Sequence, residues 1–79
     1  MKTALTNIEN GASAIVHDIS QSDLRVKLLE MGLTEGRFLK VLFRAPFGDP
    51  IAINVDGYVL SLRRDEAALI QVERQEVYA

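Results

Sequence analysis

The dipeptide Asp56-Gly57 constrains the fold of this 79-residue chain more than any other feature. It is a strong signal for a two-residue hairpin loop, because both residue types tolerate the positive φ angles that a type I′ turn requires. If these two residues form the loop, apolar or aromatic residues face each other in three pairs on one face of the pleat. The pairs are Val55 with Tyr58, Ile53 with Leu60, and Ile51 with Leu62. A shift of one residue would destroy the match, so the sequence predicts this register.

A loop with two prolines precedes the hairpin, at residues 44–51. Pro46 and Pro50 lack a backbone donor, so neither suits the middle of a central strand. Gly48 can adopt a positive φ without strain. The segment therefore predicts a stiff loop between two strands. We expect Phe47 either to be a surface feature used in contact or to fold back and cap the end of the sheet.

Apolar patterning and turn residues predict the remaining elements. In chain order they are a strand over 12–19, a helix over 23–31, a strand over 37–44, a helical turn over 63–68, a last strand over 69–73 and a frayed tail over 74–79. Five short strands and one helix in under eighty residues predict a mainly β fold. A small barrel suits that count and removes exposed sheet edges.

Two stripes of apolar residues define the predicted core outside the hairpin. Within the helix the first stripe falls at i, i+4 and i+7, which is the spacing of a face packed against the core. Within the strand over 37–44 the second stripe falls at alternate positions. The residues are Leu24, Leu28 and Met31 in the helix, and Leu39, Val41 and Phe43 in the strand.

Composition limits the classes of function. The chain has no cysteine and one histidine, and its net charge is −2. The lack of cysteine excludes disulfides, thiolate metal sites and thiol catalysis. The negative net charge argues against a nonspecific nucleic-acid binder. No apolar run approaches the roughly 20 residues of a membrane span, and no signal peptide is visible, so we expect a cytoplasmic protein without direct membrane insertion.

No group of residues predicts a catalytic or metal site. His17 lies in a predicted strand without partners at ligand spacing, so we interpret it as a solvent-facing strand residue. Asp65 and Glu66 could bind a hard cation, but adjacent carboxylates at a helix start more often interact with the helix dipole. Arg63 and Arg64 could meet an acidic partner or lie solvated beside these carboxylates. We therefore expect no enzyme activity, no cofactor and no tight metal site.

Three segments in this order resemble the FeoA family, small proteins of bacterial ferrous iron uptake. They are Leu-Leu-Glu-Met-Gly-Leu-Thr-Glu-Gly over 28–36, Arg-Ala-Pro-Phe-Gly-Asp-Pro-Ile over 44–51, and Ser-Leu-Arg-Arg-Asp-Glu-Ala over 61–67. The family often has proline where this chain has Glu35. The likeness covers about residues 5–73 and implies one domain, over 1–79, with an SH3-like β-barrel.

The resemblance also implies a partner, the membrane ferrous iron transporter FeoB, which has a cytoplasmic G-protein-like domain. We therefore expect an accessory protein that docks on the transporter and supports or regulates it; the sequence leaves a homo-oligomer open. The alternative is a small-barrel module that binds nucleic acid or the ribosome. Such modules need basic side chains along a track and stacking aromatics, whereas Phe43 and Tyr58 are predicted core residues. Firm retention on heparin at low salt would favour the alternative.

A helical wheel predicts where a partner docks. At about 100° per residue, Val26 and Leu29 point away from the core stripe of the helix. Leu33 lies just past the stop at Gly32 and extends this patch. Neighbouring apolar residues on an outer face indicate a contact site, although a barrel that wraps the helix widely would bury Leu29. With Phe47 of the proline loop, these three residues are the predicted partner-binding residues.

Overall fold

The computed structural model describes residues 1–76, which form one antiparallel sheet of six strands flanked by short helices. The elements are β1 (Lys2–Ala4), a 3₁₀ turn (Leu5–Asn7), β2 (Ser13–Ile19), α1 (Arg25–Glu30), β3 (Phe38–Arg44), β4 (Ile51–Val55), β5 (Tyr58–Leu62), α2 (Arg64–Ala67) and β6 (Ile70–Gln75). The strand order in space is β1-β6-β2-β3-β4-β5, so β1 and β5 are the two edges of the sheet. The mainly β prediction is confirmed, but the sheet is not closed by hydrogen bonds and keeps both edges.

The β4–β5 hairpin has the predicted register, with Ile53 opposite Leu60 and Val55 opposite Tyr58. Asp56 and Gly57 adopt φ angles of 52° and 85°, as a type I′ turn requires. The prediction that Tyr58 belongs to the core is wrong, because 74% of its surface is exposed. Tyr58 is next to the turn on an edge strand, so no neighbouring strand covers it.

A bulge in β3 moves Phe43 out of the predicted core. Val41 faces Ile53, but Phe43 faces Ala52, so Leu42 is an extra residue on the β3 side of the ladder. An extra residue displaces the alternation of side chains by one position. Phe43 therefore points outward and is 60% exposed, whereas Val41 is fully buried.

One continuous core joins the inner face of the sheet to both helices. It collects buried side chains from every strand except β1, together with Leu28 of α1 and Ala67 of α2. The strand residues are Ala14, Val16, Ile19, Leu39, Val41, Ile51, Ile53, Val55, Leu62, Ile70 and Val72. Of the predicted helix stripe, Leu28 is fully buried, while Leu24 and Met31 are half-buried and pack against the core.

Helix α1 and strand β6 have ends that differ from the prediction, and strand β1 was not predicted. Helix α1 is shorter than the predicted 23–31, because Ser22 and Asp23 form the turn before it and Ser22 Oγ accepts the Leu24 N–H at 3.2 Å. Strand β1 was not predicted, because three residues carry too little apolar alternation. Strand β6 extends into the predicted frayed tail through Arg74 and Gln75, which pair with β2. The rest of that tail beyond 76 lies outside the described residues.

Candidate partner-docking surface

The four predicted contact residues have very different exposures. Leu33 is fully buried in the core, so the prediction that it extends a surface patch is wrong. Leu29 is half-buried against the core, which leaves only part of it for a partner. Val26 is 63% exposed and Phe47 is 96% exposed. The structure thus leaves Val26 and Phe47 as accessible apolar side chains.

Phe47 is held at the tip of a hydrogen-bonded loop. The Gly48 N–H donates to the Ala45 carbonyl at 2.7 Å, and the Ala45 N–H donates to the Pro50 carbonyl at 3.0 Å. These bonds close the loop on its own backbone, so Phe47 is left to face solvent. Of the two sequence expectations for Phe47, the structure shows a surface residue and not a cap over the sheet.

Side chains at both ends fasten this loop to the rest of the fold. The Arg44 guanidinium donates to the carbonyl oxygens of Thr6 and Ile8 at 3.0 and 2.7 Å. At the other end the Asp49 carboxylate accepts the backbone N–H of Arg64 at 3.1 Å. The loop is therefore tied to the N-terminal segment and to the start of α2.

An ion pair joins α1 to α2 next to this loop. The Lys27 ammonium donates to Glu66 Oε2 at 2.7 Å, and the Arg63 N–H donates to Glu66 Oε1 at 2.9 Å. The Glu66 side chain is only 6% exposed, whereas that of Lys27 is 58% exposed. The hydrogen bond from Lys27 lowers the pKa of Glu66, and the Arg63 N–H lowers it further, while burial opposes both. Glu66 is thus a charged anchor for α1.

Helix α1 and the loop border a common depression of about 590 Å³. Its lining includes Lys27 of α1, Asp49 and Pro50 of the loop, and Ser61 of β5. Val26 adjoins Lys27 in the chain, and Phe47 lies two residues before Asp49. Val26 and Phe47 therefore belong to two elements that meet at one depression.

Four large apolar residues of the sheet are exposed, two of which, Phe43 and Tyr58, the sequence assigned to the core. The four are Phe38, Phe43, Tyr58 and Val59. Phe43 is exposed by the bulge, and Tyr58 and Val59 by their place on the edge strand. Because Phe43 and Tyr58 are exposed, their predicted burial no longer counts against a nucleic-acid module.

The described residues do not gather metal ligands. Within residues 1–76, no three side chains of His, Cys, Asp or Glu lie close enough to hold a metal ion. His17 is exposed at the irregularity between β2 and β6. The Asp65 carboxylate accepts the backbone N–H of Glu66 at 2.9 Å, as a helix-start residue would. In the same part of the chain, no helix has the length and apolar character to cross a membrane.

Comparison with known proteins identifies the family. A family model described as the FeoA domain matches residues 3–74. The chain is 34% identical over 70 residues to the Fe(2+) transport protein A/Fe(2+) transporter FeoB fusion protein of Porphyromonas gingivalis. This match covers 87% of the chain but only 8% of the fusion protein, so the chain spans a small part of that relative.

Two solved structures are similar to this chain. The FeoA-like protein of Clostridium acetobutylicum has a TM-score of 0.91 and 35% identity, over 99% of this chain and 92% of that chain. The zinc complex of Stenotrophomonas maltophilia FeoA, described as a procaryotic SH3 domain protein, has a TM-score of 0.80 and 22% identity, over 90% and 89% of the two chains. The second likeness supports the SH3-like fold alone. Because the family model matches most of its length, the chain belongs to the FeoA domain family, which is associated with ferrous iron transport.

Proposed function

We propose that this protein is a cytoplasmic accessory protein of ferrous iron uptake that binds a FeoB-type membrane transporter and supports or regulates it. The main support for this proposal is a relative in which a transport protein A segment and a FeoB transporter form one chain. A linker holds such joined domains at high effective concentration, which favours a contact between them. The same contact requires a surface on this domain that the transporter recognises.

The surface that fits this role is formed by α1 and the loop, the two elements that border the depression and carry Val26 and Phe47. Aromatic anchors dominate the binding energy of many protein interfaces. Phe47 is almost fully exposed on a loop tied down at both ends, so little ordering is needed when a partner covers it. Val26 adds a second apolar contact on the outer side of α1.

The test is a pull-down of full-length FeoB-type transporter by the wild-type chain, Phe47→Ala and Val26→Asp. Each substitution should weaken capture by about tenfold or more, the effect of losing a strong contact. Both variants should fold, because Phe47 packs on nothing and an acidic residue suits the first turn of a helix. Phe43→Ala is the matched control, since it makes the same change at another exposed site.

Uptake of ferrous iron by cells that lack their own copy of the gene gives the functional readout. Cells carrying Phe47→Ala or Val26→Asp should lose the uptake that the wild-type chain restores, with unchanged melting temperature of the purified variants. Failure of the wild-type chain to capture the transporter, together with uptake that does not depend on it, would contradict the proposed function. Capture that survives both substitutions would reject this surface only.

A nucleic-acid module remains the second candidate, because Phe38 and Phe43 are exposed on the strand that also carries Lys40. Stacking aromatics next to basic side chains are typical of such surfaces. The net charge of −2 opposes it. Firm retention on heparin at low salt, weakened in Lys40→Met, would favour this candidate over transporter docking.

A further inference from the structure

Strand β5 is an unprotected edge of the sheet. Its five residues are Tyr-Val-Leu-Ser-Leu, with no charged residue and no proline. Proteins usually protect sheet edges with short strands, lysine, proline or bulges. The opposite edge, β1, is only three residues long and begins with Lys2. The β4–β5 ladder runs without a bulge, so β5 lacks each of these devices.

The backbone of β5 has groups free to pair with another strand. In a two-residue hairpin the residues that flank the turn exchange hydrogen bonds, and bonded pairs then alternate along the ladder. Tyr58, Leu60 and Leu62 therefore use their backbone groups with β4. The N–H and C=O groups of Val59 and Ser61 point away from the sheet. Among residues 1–76, no strand lies on that side of β5.

A groove runs between this edge and the C-terminal end of α1. We call it the β5 groove and define it by Glu30, Met31, Tyr58, Val59 and Leu60. Its volume is about 300 Å³, and four of these five residues are apolar or aromatic. Val59 and Tyr58 are 63% and 74% exposed, so the groove is open to a ligand.

Glu30 gives the β5 groove an uncompensated negative charge. Asp56 also borders the groove, but the Arg37 guanidinium pairs with its carboxylate. Within residues 1–76, Glu30 takes part in no ion pair of 4 Å or less. A ligand that lies along the groove would thus meet an apolar floor and one free carboxylate.

We infer that the β5 groove binds an extended segment of a partner protein, which adds a strand to the edge of the sheet. Val59 and Ser61 would supply the backbone hydrogen bonds, and alternate apolar side chains of the segment would cover Met31 and Leu60. A basic residue of the segment would lie beside Glu30. The β5 strand of a second copy has no basic residue to lie beside Glu30, whereas a segment of a partner protein can supply one. The inference does not depend on which protein supplies the segment.

Titration with a synthetic peptide, followed by the backbone amide resonances of the chain, tests this inference. The peptide is acetyl-Thr-Val-Thr-Val-Thr-Val-Thr-Arg-amide. Saturable shifts should centre on Val59 and Ser61, and hydrogen exchange of these two amides should slow at least severalfold. The same peptide with N-methyl groups on its valines is the control, because it loses the backbone donors at alternate residues.

Val59→Pro removes one outward donor and leaves the ladder to β4 intact. It should fold and bind the peptide at least tenfold more weakly, while Val59→Thr should bind like the wild type. If Val59→Pro unfolds, the two N-methylated forms, methylated on the valines or on the threonines, decide. At least one of the two methylated peptides must bind more weakly than the unmodified peptide. If both bind as tightly as the unmodified peptide, the inference is overturned.

Charge exchange tests the partner's chemistry. Glu30→Lys should weaken binding of the arginine peptide severalfold and should favour the same peptide ending in glutamate. Glu35→Lys, an exposed site outside the groove, is the control. Shifts centred elsewhere, or a dimer in sedimentation that Val59→Pro abolishes without any peptide binding, would overturn the inference. If the transporter is captured equally by the wild type and Val59→Pro and the peptide does not bind, the inference fails while the proposed function stands.

Discussion

Replacing Lys27 by methionine tests whether Glu66 is a charged anchor between α1 and α2. Methionine keeps an unbranched apolar side chain and removes the ammonium. The substitution takes away the 2.7 Å donor of Glu66 Oε2 and leaves the Arg63 N–H as the remaining donor to this carboxylate. The Glu66 side chain is only 6% exposed, so water replaces the lost partner poorly.

The expected loss of stability follows from these exposures. Removing one partner of a fully buried ion pair costs about 3–5 kcal/mol, and a hydrogen bond to a charged group contributes about 1.5–3 kcal/mol. Because the Lys27 side chain is 58% exposed, solvent screens the ion pair. The expected loss therefore lies near or below the lower end of the range for a hydrogen bond to a charged group. We expect Lys27→Met to lower the free energy of unfolding by about 1–2 kcal/mol at pH 7. For a domain of this size the melting temperature should fall by about 4–16 °C.

The pH dependence separates this electrostatic effect from a loss of packing. Lys27 and the Arg63 N–H lower the pKa of Glu66 in the folded state. A lowered carboxyl pKa stabilises the fold above the unfolded value of about 4.3, and this contribution is lost as the pH falls through the folded value. The difference between the wild type and Lys27→Met should therefore be largest at pH 7 and smaller at about pH 3.

Urea denaturation at both pH values measures the difference in unfolding free energy. Lys40→Met is the matched control, because Lys40 is exposed on β3 and has no ion-pair partner among residues 1–76. It should change stability by less than about 0.5 kcal/mol. An equal loss in Lys27→Met at both pH values, or no loss at pH 7, would refute the reasoning.

Two further predictions concern the core and the metal. Ile53 is fully buried between Val41 and Leu60, so Ile53→Ala should lower the free energy of unfolding by about 2–5 kcal/mol in urea denaturation. A decrease under about 1 kcal/mol would contradict its burial. Val59→Ala, on the exposed face, is the control. Anaerobic calorimetric titration with ferrous iron should show no stoichiometric micromolar binding, because no histidine, cysteine or carboxylate cluster is present within residues 1–76; one such site, abolished in His17→Ala, would overturn this prediction.

The local rules of hairpins and helices predicted much of the fold from sequence. The register of the β4–β5 hairpin followed from one turn dipeptide and six apolar residues, because a slip of one residue exposes the whole apolar set. Leu28 was placed in the core correctly, since helical spacing fixes which residues share a face.

The errors came from features that no local pattern determines. Phe43 was misplaced because the bulge at Leu42 changes the alternation, and no residue there signals a bulge. Tyr58 was misplaced because pairing within a hairpin does not show whether the outer side of a strand is covered. Leu33 was misplaced because its segment, past Gly32, turns back into the core, which helical spacing cannot describe. The Lys27–Glu66 contact joins residues 39 apart in the chain, beyond the reach of local patterns.

The positions of these errors bear on function. Local sequence rules agree with the global fold where stability alone is selected, and exceptions concentrate at functional sites. Phe43 and Tyr58 are large apolar side chains that the pattern assigns to the core but the fold leaves in solvent. Tyr58 lines the β5 groove. The wrong prediction of its burial therefore falls on the surface that we inferred from the free backbone groups of β5. Peptide binding at Val59 would explain why Tyr58, next to it, is exposed although the pattern assigns it to the core.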